Sequence, residues 1–323
     1  MTDQTGQGEK RGGISFTHTA DELFSGANAT KGDLIDYLDA VAELILPVLA
    51  DRPLSVIRVR PGQAPFMQKN VPKYAPDFIT TVTLWAESSR REVSYALCND
   101  LRTLLWFANQ RAVEYHPTLM RAGHWTEPDF VVLDIDPPAG AGFAPVVQAA
   151  LLVREALESA GLAGALKTSG SKGVHIFVPL VGGVSGEDAA AVTRAIAARA
   201  ERLGPDIATT AFVREDRGGK VFIDGTRAGG ATVAAAYSPR VRPGATVSFP
   251  LDWADLPQVQ PADFTVTNAA GQLAGRDRWA ELMPAPQELS AELIAEGHAI
   301  PVARVAAMHE GKRRAKARRD QSG

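Results

Sequence analysis

Residues 130–138 read FVVLDIDPP and residues 167–180 read KTSGSKGVHIFVPL. The first stretch is a β-branched, apolar run stopped by Pro137 and Pro138, which predicts a buried strand ending at a turn. Side chains alternate faces along a strand, so Asp134 and Asp136 point the same way. Two neighbouring carboxylates repel unless a cation lies between them, and a hard divalent ion with oxygen ligands answers that need. The second stretch sets a Gly/Ser/Lys loop directly before another strand. Such a loop cradles phosphate with backbone N–H groups and adds a lysine point charge. Metal carboxylates beside a phosphate loop predict a nucleotidyl-transfer site.

Asp224 ends VFID, another apolar strand, and supplies a third carboxylate at a strand end. Three acidic ligands suit two Mg²⁺ or Mn²⁺ ions roughly 3.5–4 Å apart. An Asp-x-Asp pair alone is weak, because strand-end aspartates also cap turns; the phosphate loop is what strengthens it. Ser169, Ser171 and Lys172 are the expected phosphate contacts, although Gly and Ser also suit an ordinary hairpin turn. His175 lies on the strand entered from that loop, which favours a phosphate-facing role over a satisfied core histidine. Arg217 and Lys220 precede Asp224 in DRGGKVFID and are candidates to neutralise triphosphate charge, the alternative being plain surface charge. His116, in VEYHP, is by itself uninformative.

Working outward, Thr30 to Ala50 predicts a helix capped by Thr30, with Leu34, Leu38, Val41, Leu44 and Ile45 on one face. Strands are expected at Leu54–Val59, Phe78–Trp85 and Val93–Leu97, and a helix capped by Asn99 is expected to run to about Glu114. Helices follow near Ala144–Ser159, ended by Gly161, and after a Ser185-x-x-Asp188 capping box up to Gly204. Short strands are expected at Lys220–Asp224 and Ala231–Ala236, an irregular Pro-rich stretch over Tyr237–Pro261, and a helix pair near 287–310. Strands and helices alternate without a strict βαβ rhythm, which favours mixed α/β (α+β) sheets over a doubly wound parallel one. The domain reading is a disordered leader over 1–13, one catalytic domain over 14–310 and a basic flexible tail over 311–323.

With 323 residues, 45% of them hydrophobic, the chain can bury a large core. Cys98 is its one cysteine, which excludes internal disulfides and a Cys-based zinc site and fits a cytoplasmic, nucleoid-associated protein. AVAELILPVLA is broken by Glu43 and Pro47, so neither a membrane span nor a signal peptide is expected. The net charge is −3, but KRRAKARR at 312–319 holds six basic residues, against 28 basic and 36 acidic residues ahead of it. A cationic tail on an acidic body can hold a phosphate backbone without sequence preference or simply be a solvated terminus.

LDID, SGSKGVH and VFID, in that order, resemble the three signature motifs of the archaeo-eukaryotic primase-polymerase superfamily. ATKGDLIDYLDAVAELILP, PFMQKN, NDLRTLLWFANQRAVEYHP, LKTSGSKGVHIFVPL, GGKVFID and AYSPR resemble the polymerase domain of bacterial ligase D, over roughly Ile14 to Met283. The resemblance implies a primase-polymerase fold: a mainly antiparallel catalytic sheet flanked by helices, and an N-terminal lobe with a second sheet. It implies a template-dependent nucleotidyltransferase that extends primers and fills short gaps in DNA repair, preferring ribonucleotides and Mn²⁺. It assigns Asp134, Asp136 and Asp224 to the metals and Ser169, Lys172 and His175 to nucleotide phosphates. His116 falls near the incoming sugar, and Arg217, Arg227 and Arg240 on basic positions lining the site. Phe66 and Met67 match a pair stacking on the template base, beside Lys69, and Lys31 matches a lysine near a downstream 5′-phosphate. The implied partners are gapped or broken DNA, nucleoside triphosphates, and Ku or a DNA ligase; a monomer is expected.

Several positions depart from that pattern. The family's NADKVL-like segment is TADELF here, with Glu22 in place of a phosphate-binding lysine, and a carboxylate repels a phosphate. QKH becomes Gln68-Lys69-Asn70, and DW-x-QN becomes Asp224-Gly225-Thr226-Arg227-Ala228. No K-x-D-G nucleotidyl-lysine motif occurs, so a stand-alone paralogue is expected. A metal-dependent phosphoesterase and a non-catalytic DNA-binding scaffold are the competing readings.

Overall fold

The computed structural model describes residues 10–86, 90–226 and 231–302. A two-residue pairing of β1 (Lys10–Arg11) with β2 (Ile14–Ser15) opens the chain. Residues 10–13 therefore form an ordered turn rather than part of a disordered leader, with Gly12 and Gly13 at φ +53° and +79° supplying the reversal.

Thr30 caps α1 (Lys31–Ala40) as expected, through a reciprocal box with Asp33. The single expected helix is two: Val41, at φ −102° and ψ 11°, breaks it, and α2 (Ala42–Leu49) follows. Five strands then build the first sheet: β3 (Pro53–Arg60), β4 (Gln63–Gln68), β5 (Thr81–Ala86), β6 (Arg91–Leu97) and β7 (Ala112–Pro117), in the order β4-β3-β6-β5 with β7 also on β3. Asp100, not Asn99, caps α3, and that helix stops at Asn109 (Leu101–Asn109) instead of reaching Glu114. Arg111 takes φ +58° and turns the chain, so AVEYHP runs as a fully buried strand against β3. His116 thus sits on a strand.

The second sheet holds six strands. They are β8 (Phe130–Asp136), β9 (Ala165–Thr168), β10 (Val174–Pro179), β11 (Ala208–Thr209), β12 (Val221–Asp224) and β13 (Pro250–Leu251), ordered β11-β12-β8-β10-β9-β13. All of its pairings are antiparallel except β11 with β12. Residues 131–135 are all buried, because β8 lies between two strands and is covered on both faces. Two helices flank this sheet: α4 (Ala144–Ser159) and α5 (Gly186–Leu203), the second capped by Ser185 onto the Asp188 N–H. Residues 231–236 form no strand. Their backbone lies against β7 through Val233 N–H to Pro117 C=O and Ala235 N–H to Tyr115 C=O, a strap without a ladder. Short helices α6 (Ala269–Leu273) and α7 (Arg278–Leu282) and the longer α8 (Ala291–Ala299) complete the described chain. Of the helix pair expected near 287–310, α8 is one member, and residues 303–310 lie outside the described residues. Among the described residues no helix is long and apolar enough to cross a membrane. The two sheets and their helices share one continuous apolar core, with Leu104, Tyr115, Leu133, Ile176 and Phe249 among its members.

At Gly297, α8 crosses α5 with its backbone nearly touching. A Cβ there would stand 1.9 Å from the Ala191 carbonyl oxygen. Arg199 and Arg202 clasp Glu296 beside that contact. Gly297→Ala is therefore expected to lower stability by about 1–3 kcal/mol through overpacking, read as a drop in midpoint on thermal unfolding. An unchanged midpoint would show that the crossing has slack.

Candidate active site

Strand register assembles the site. Asp224 on β12 lies directly opposite Asp134 on β8, Asp134 opposite His175 on β10, and His175 opposite Lys167 on β9. Residues directly paired across strands share a face, so four ionisable side chains form one row across four strands. All four are buried, Lys167 completely. Asp136, two residues beyond Asp134, is on the same face and partly exposed. His175 Nε2 stands 3.3 Å from Asp134 Oδ1, and His175 Nδ1 stands 2.7 Å from Lys167 Nζ. Burial, and then the neighbouring Lys167, push the His175 pKa down to about 4 against the pull of Asp134, so the ring is neutral at pH 7. Asp224 accepts from the Thr226 backbone N–H at 2.8 Å and from its hydroxyl.

The phosphate loop is stitched before any ligand arrives. Ser169 Oγ accepts from the N–H groups of Ser171 and Gly173 at 3.2 and 3.1 Å. The Ser169 carbonyl accepts from Arg240, and Arg242 donates to Ser171 Oγ at 2.8 Å. Gly173 is required by close approach: a Cβ would lie 1.9 Å from the Ile135 carbonyl oxygen on β8. Lys172 is exposed at the loop tip, where its charge is presented to solvent.

Glu114 was not anticipated, and it ties the two sheets together. Its buried carboxylate accepts from His116 Nε2 at 2.8 Å, Arg240 Nε at 2.9 Å and the Val241 N–H at 2.8 Å. Through Arg240 it connects β7 of the first sheet to the Ser169 loop of the second. Burial lowers the His116 pKa, with Glu114 opposing. A sequence signal existed: in AVEYHP an acidic residue precedes a histidine by two inside an apolar run, the same one-face spacing that marks Asp134 and Asp136.

The remaining expected residues divide. Arg217 lies 3.6 Å over the Phe222 ring and within electrostatic reach of Asp136 and Asp224, as expected for a cation beside the carboxylates. Lys220 is half-buried at the start of β12. Met67 is 47% exposed and shares a face with Ile57 and Glu114. Phe66 points to the other face, stacked under Arg58 and Arg60, because neighbours on one strand cannot share a side. The pair therefore does not form one stacking platform. Lys69 is exposed beyond the end of β4. Lys31 is 2% exposed, and its ammonium is spent on Thr17 C=O and Asn109 Oδ1 rather than turned outward. Desolvation by that burial lowers its pKa to about 8. Near it, Asp21, Glu22, Arg60 and Arg111 are among the residues lining a cavity of about 790 Å³, with Arg111 already paired to Asp21 at 2.8 Å. Arg227, and the basic tail, lie outside the described residues.

Among the described residues no group of three His, Cys, Asp or Glu side chains is gathered as a ready metal cage. The donor chemistry nonetheless fits a hard divalent ion: three carboxylates from two adjacent strands on one face, and no sulfur. Like charges directly opposite in a ladder are destabilising without a counter-charge, and Asp134 faces Asp224 in that way.

The Glu114 brace carries a pH signature. Burial alone would raise its carboxyl pKa; the bonds from His116, Arg240 and Val241 override this and bring it from the usual 4.5 to about 2. A depressed folded pKa stabilises the fold above the unfolded value and is lost as pH falls from about 4.5 toward 2. The neutral-pH contribution is about 3 kcal/mol. Urea unfolding of wild type and Glu114→Gln across that window should show the steeper acid loss in wild type. Equal slopes would deny the brace its electrostatic role.

A sequence profile of the LigD primase-polymerase domain matches residues 30–279. The bifunctional non-homologous end joining protein LigD of Bacillus subtilis is 33% identical over 258 residues, 78% of this chain and 41% of that protein. The multifunctional LigD of Mycobacterium bovis is 32% identical over 256 residues, 75% of this chain and 33% of that protein. The chain thus spans less than half the length of these relatives. The polymerase domain of Mycobacterium tuberculosis ligase D, solved in complex with DNA, matches with a TM-score of 0.75 at 30% identity, covering 83% of this chain and 96% of that one. With motifs, sheet order and profile in agreement, the chain belongs to the LigD primase-polymerase domain family.

Proposed function

We propose that this chain is a template-dependent, metal-dependent nucleotidyltransferase that extends primers and fills short gaps during DNA repair. The observation that carries the reading is the in-register row of Asp224, Asp134 and His175 beside the preformed Ser169 loop. Asp134, Asp136 and Asp224 are the residues that would hold two Mg²⁺ or Mn²⁺ ions, which when bound supply charge neutralisation to an in-line displacement on a nucleoside triphosphate. The chain's own groups do the positioning. Lys172, at the exposed tip of a loop whose Ser169, Ser171 and Gly173 N–H groups are bonded within it, receives phosphate oxygens, Arg217 adds a cation beside the carboxylates, and Arg240 steadies the loop from behind. His116 gives its Nε2 proton to Glu114, which leaves Nδ1 as an acceptor suited to a sugar hydroxyl; that supports a preference for ribonucleotides. Met67, exposed on the face it shares with Glu114, would meet a template base. Ku and a DNA ligase are proposed partners on the strength of the family alone.

Two experiments test this reading. Asp136→Ala should reduce Mn²⁺-dependent primer extension at least about a hundredfold, while full activity would remove Asp136 from the site. The second concerns the gap. Glu22 is exposed and Lys31 is buried, so extension on a gapped duplex should respond little to a downstream 5′-phosphate. Glu22→Lys should make extension phosphate-responsive. Strong stimulation of wild type would show that Arg60 or other cations nearby suffice.

A further inference from the structure

Lys167 opens the phosphate-loop motif, yet none of the roles above uses it. Its side chain is completely buried, with Nζ 2.7 Å from His175 Nδ1 and 2.6 Å from Ser248 Oγ. Ser248 Oγ donates its own proton to the Thr168 carbonyl at 2.7 Å, so it accepts from Lys167. The Phe177 ring centroid lies 5.4 Å from the amine. Burying an amine this deeply is costly, and an apolar side chain of the same length would avoid the cost. What the amine gains is a directed bond to one imidazole nitrogen.

The other end of that imidazole fixes the sense of the chain. His175 Nε2 faces the Asp134 carboxylate at 3.3 Å, and two bare acceptors would repel there. An ammonium can only donate, so Nδ1 is bare and the ring proton sits on Nε2, pointing at Asp134; a neutral amine must donate to Nδ1 as well, because the Asp134 carboxylate already claims the ring proton on Nε2. We infer that Lys167 is a positioning residue that holds His175 as the Nε2–H tautomer and, through it, orients the Asp134 carboxylate. The relay runs Ser248, Lys167, His175, Asp134, from the segment just before β13 to the carboxylate row.

The kinetic part of the test rests on the proposed polymerase reading, but the spectroscopic part does not. Long-range ¹H–¹⁵N spectra of the full chain report the imidazole tautomers, with His175→Gln assigning the His175 signals. Wild type should show His175 protonated at Nε2 and bare at Nδ1; a proton on Nδ1 overturns the inference without need of any variant. In Lys167→Met the ring should lose this single tautomer, and primer extension should fall about 10–100-fold, the usual loss for a partner one step behind a ligand. Thermal unfolding of the same variant separates the alternatives. A melting point kept or raised, with the tautomer lost, is the positioning result; an unchanged tautomer with activity within about twofold of wild type overturns the proposal. If wild type extends no primer, the polymerase reading fails while the tautomer still decides the role of Lys167.

Discussion

Two buried carboxylates, Asp134 and Asp224, face each other across an antiparallel pair, and much of the catalytic sheet is arranged around that conflict. A one-residue slip of either strand would turn the whole set to the opposite face, so the register is fixed as strongly as the apolar core fixes it. The row answers its negative half with a histidine and a buried lysine on the next two strands, and Arg217, ahead of β12, lies within electrostatic reach of Asp224 and Asp136. The carboxylates and the amine therefore stand at opposite ends of one line of backbone pairings.

The second organising contact crosses between the sheets. Glu114 stands on β7, which belongs to the five-stranded sheet, and grips Arg240, which in turn grips the Ser169 carbonyl. Tyr115 N–H donates to Ser238 Oγ at 2.9 Å a residue away, so the strap over 231–241 is pinned at neighbouring points. Gly170 takes φ +63° there, and a Cβ would meet Arg240 Cγ at 2.6 Å. The phosphate loop is thus rigid on the side away from solvent, while Lys172 remains exposed at its tip.

The parts legible in the sequence were those encoded within one element or one motif. The β8 strand, α4, the Ser185 cap of α5 and the Gly173-dependent turn each follow from local composition, and the mixed two-sheet architecture followed from the motifs together. What sequence reading lost was set by tertiary pairing. In AVEYHP the polar Glu114 and His116 are buried along with their apolar neighbours, and the stretch runs straight on from an apolar helix, so its start read as the end of that helix, whereas Arg111 reverses the chain. Residues 231–236 are small and apolar and read as a strand, yet they spend only some of their N–H groups on β7. Lys31 was visible as a lysine but not as a buried one, because Thr17 and Asn109 come from distant sequence. Phe66 and Met67 were paired by resemblance and separated by the strand's own alternation.

Stability alone would not keep this set of residues. A buried lysine, a buried glutamate and two opposed aspartates each cost desolvation that apolar side chains of similar volume avoid. Charged groups held at such cost cluster where a protein must meet charge it does not itself contain. Here they do so with little freedom: Ser248 fixes Lys167, Lys167 meets His175, His175 meets Asp134, and Thr226 holds Asp224. The exposed Lys172 and the partly exposed Asp136 are the most accessible members of the set. The gradient from deeply buried to more accessible side chains thus points outward from the row toward the exposed tip of the Ser169 loop.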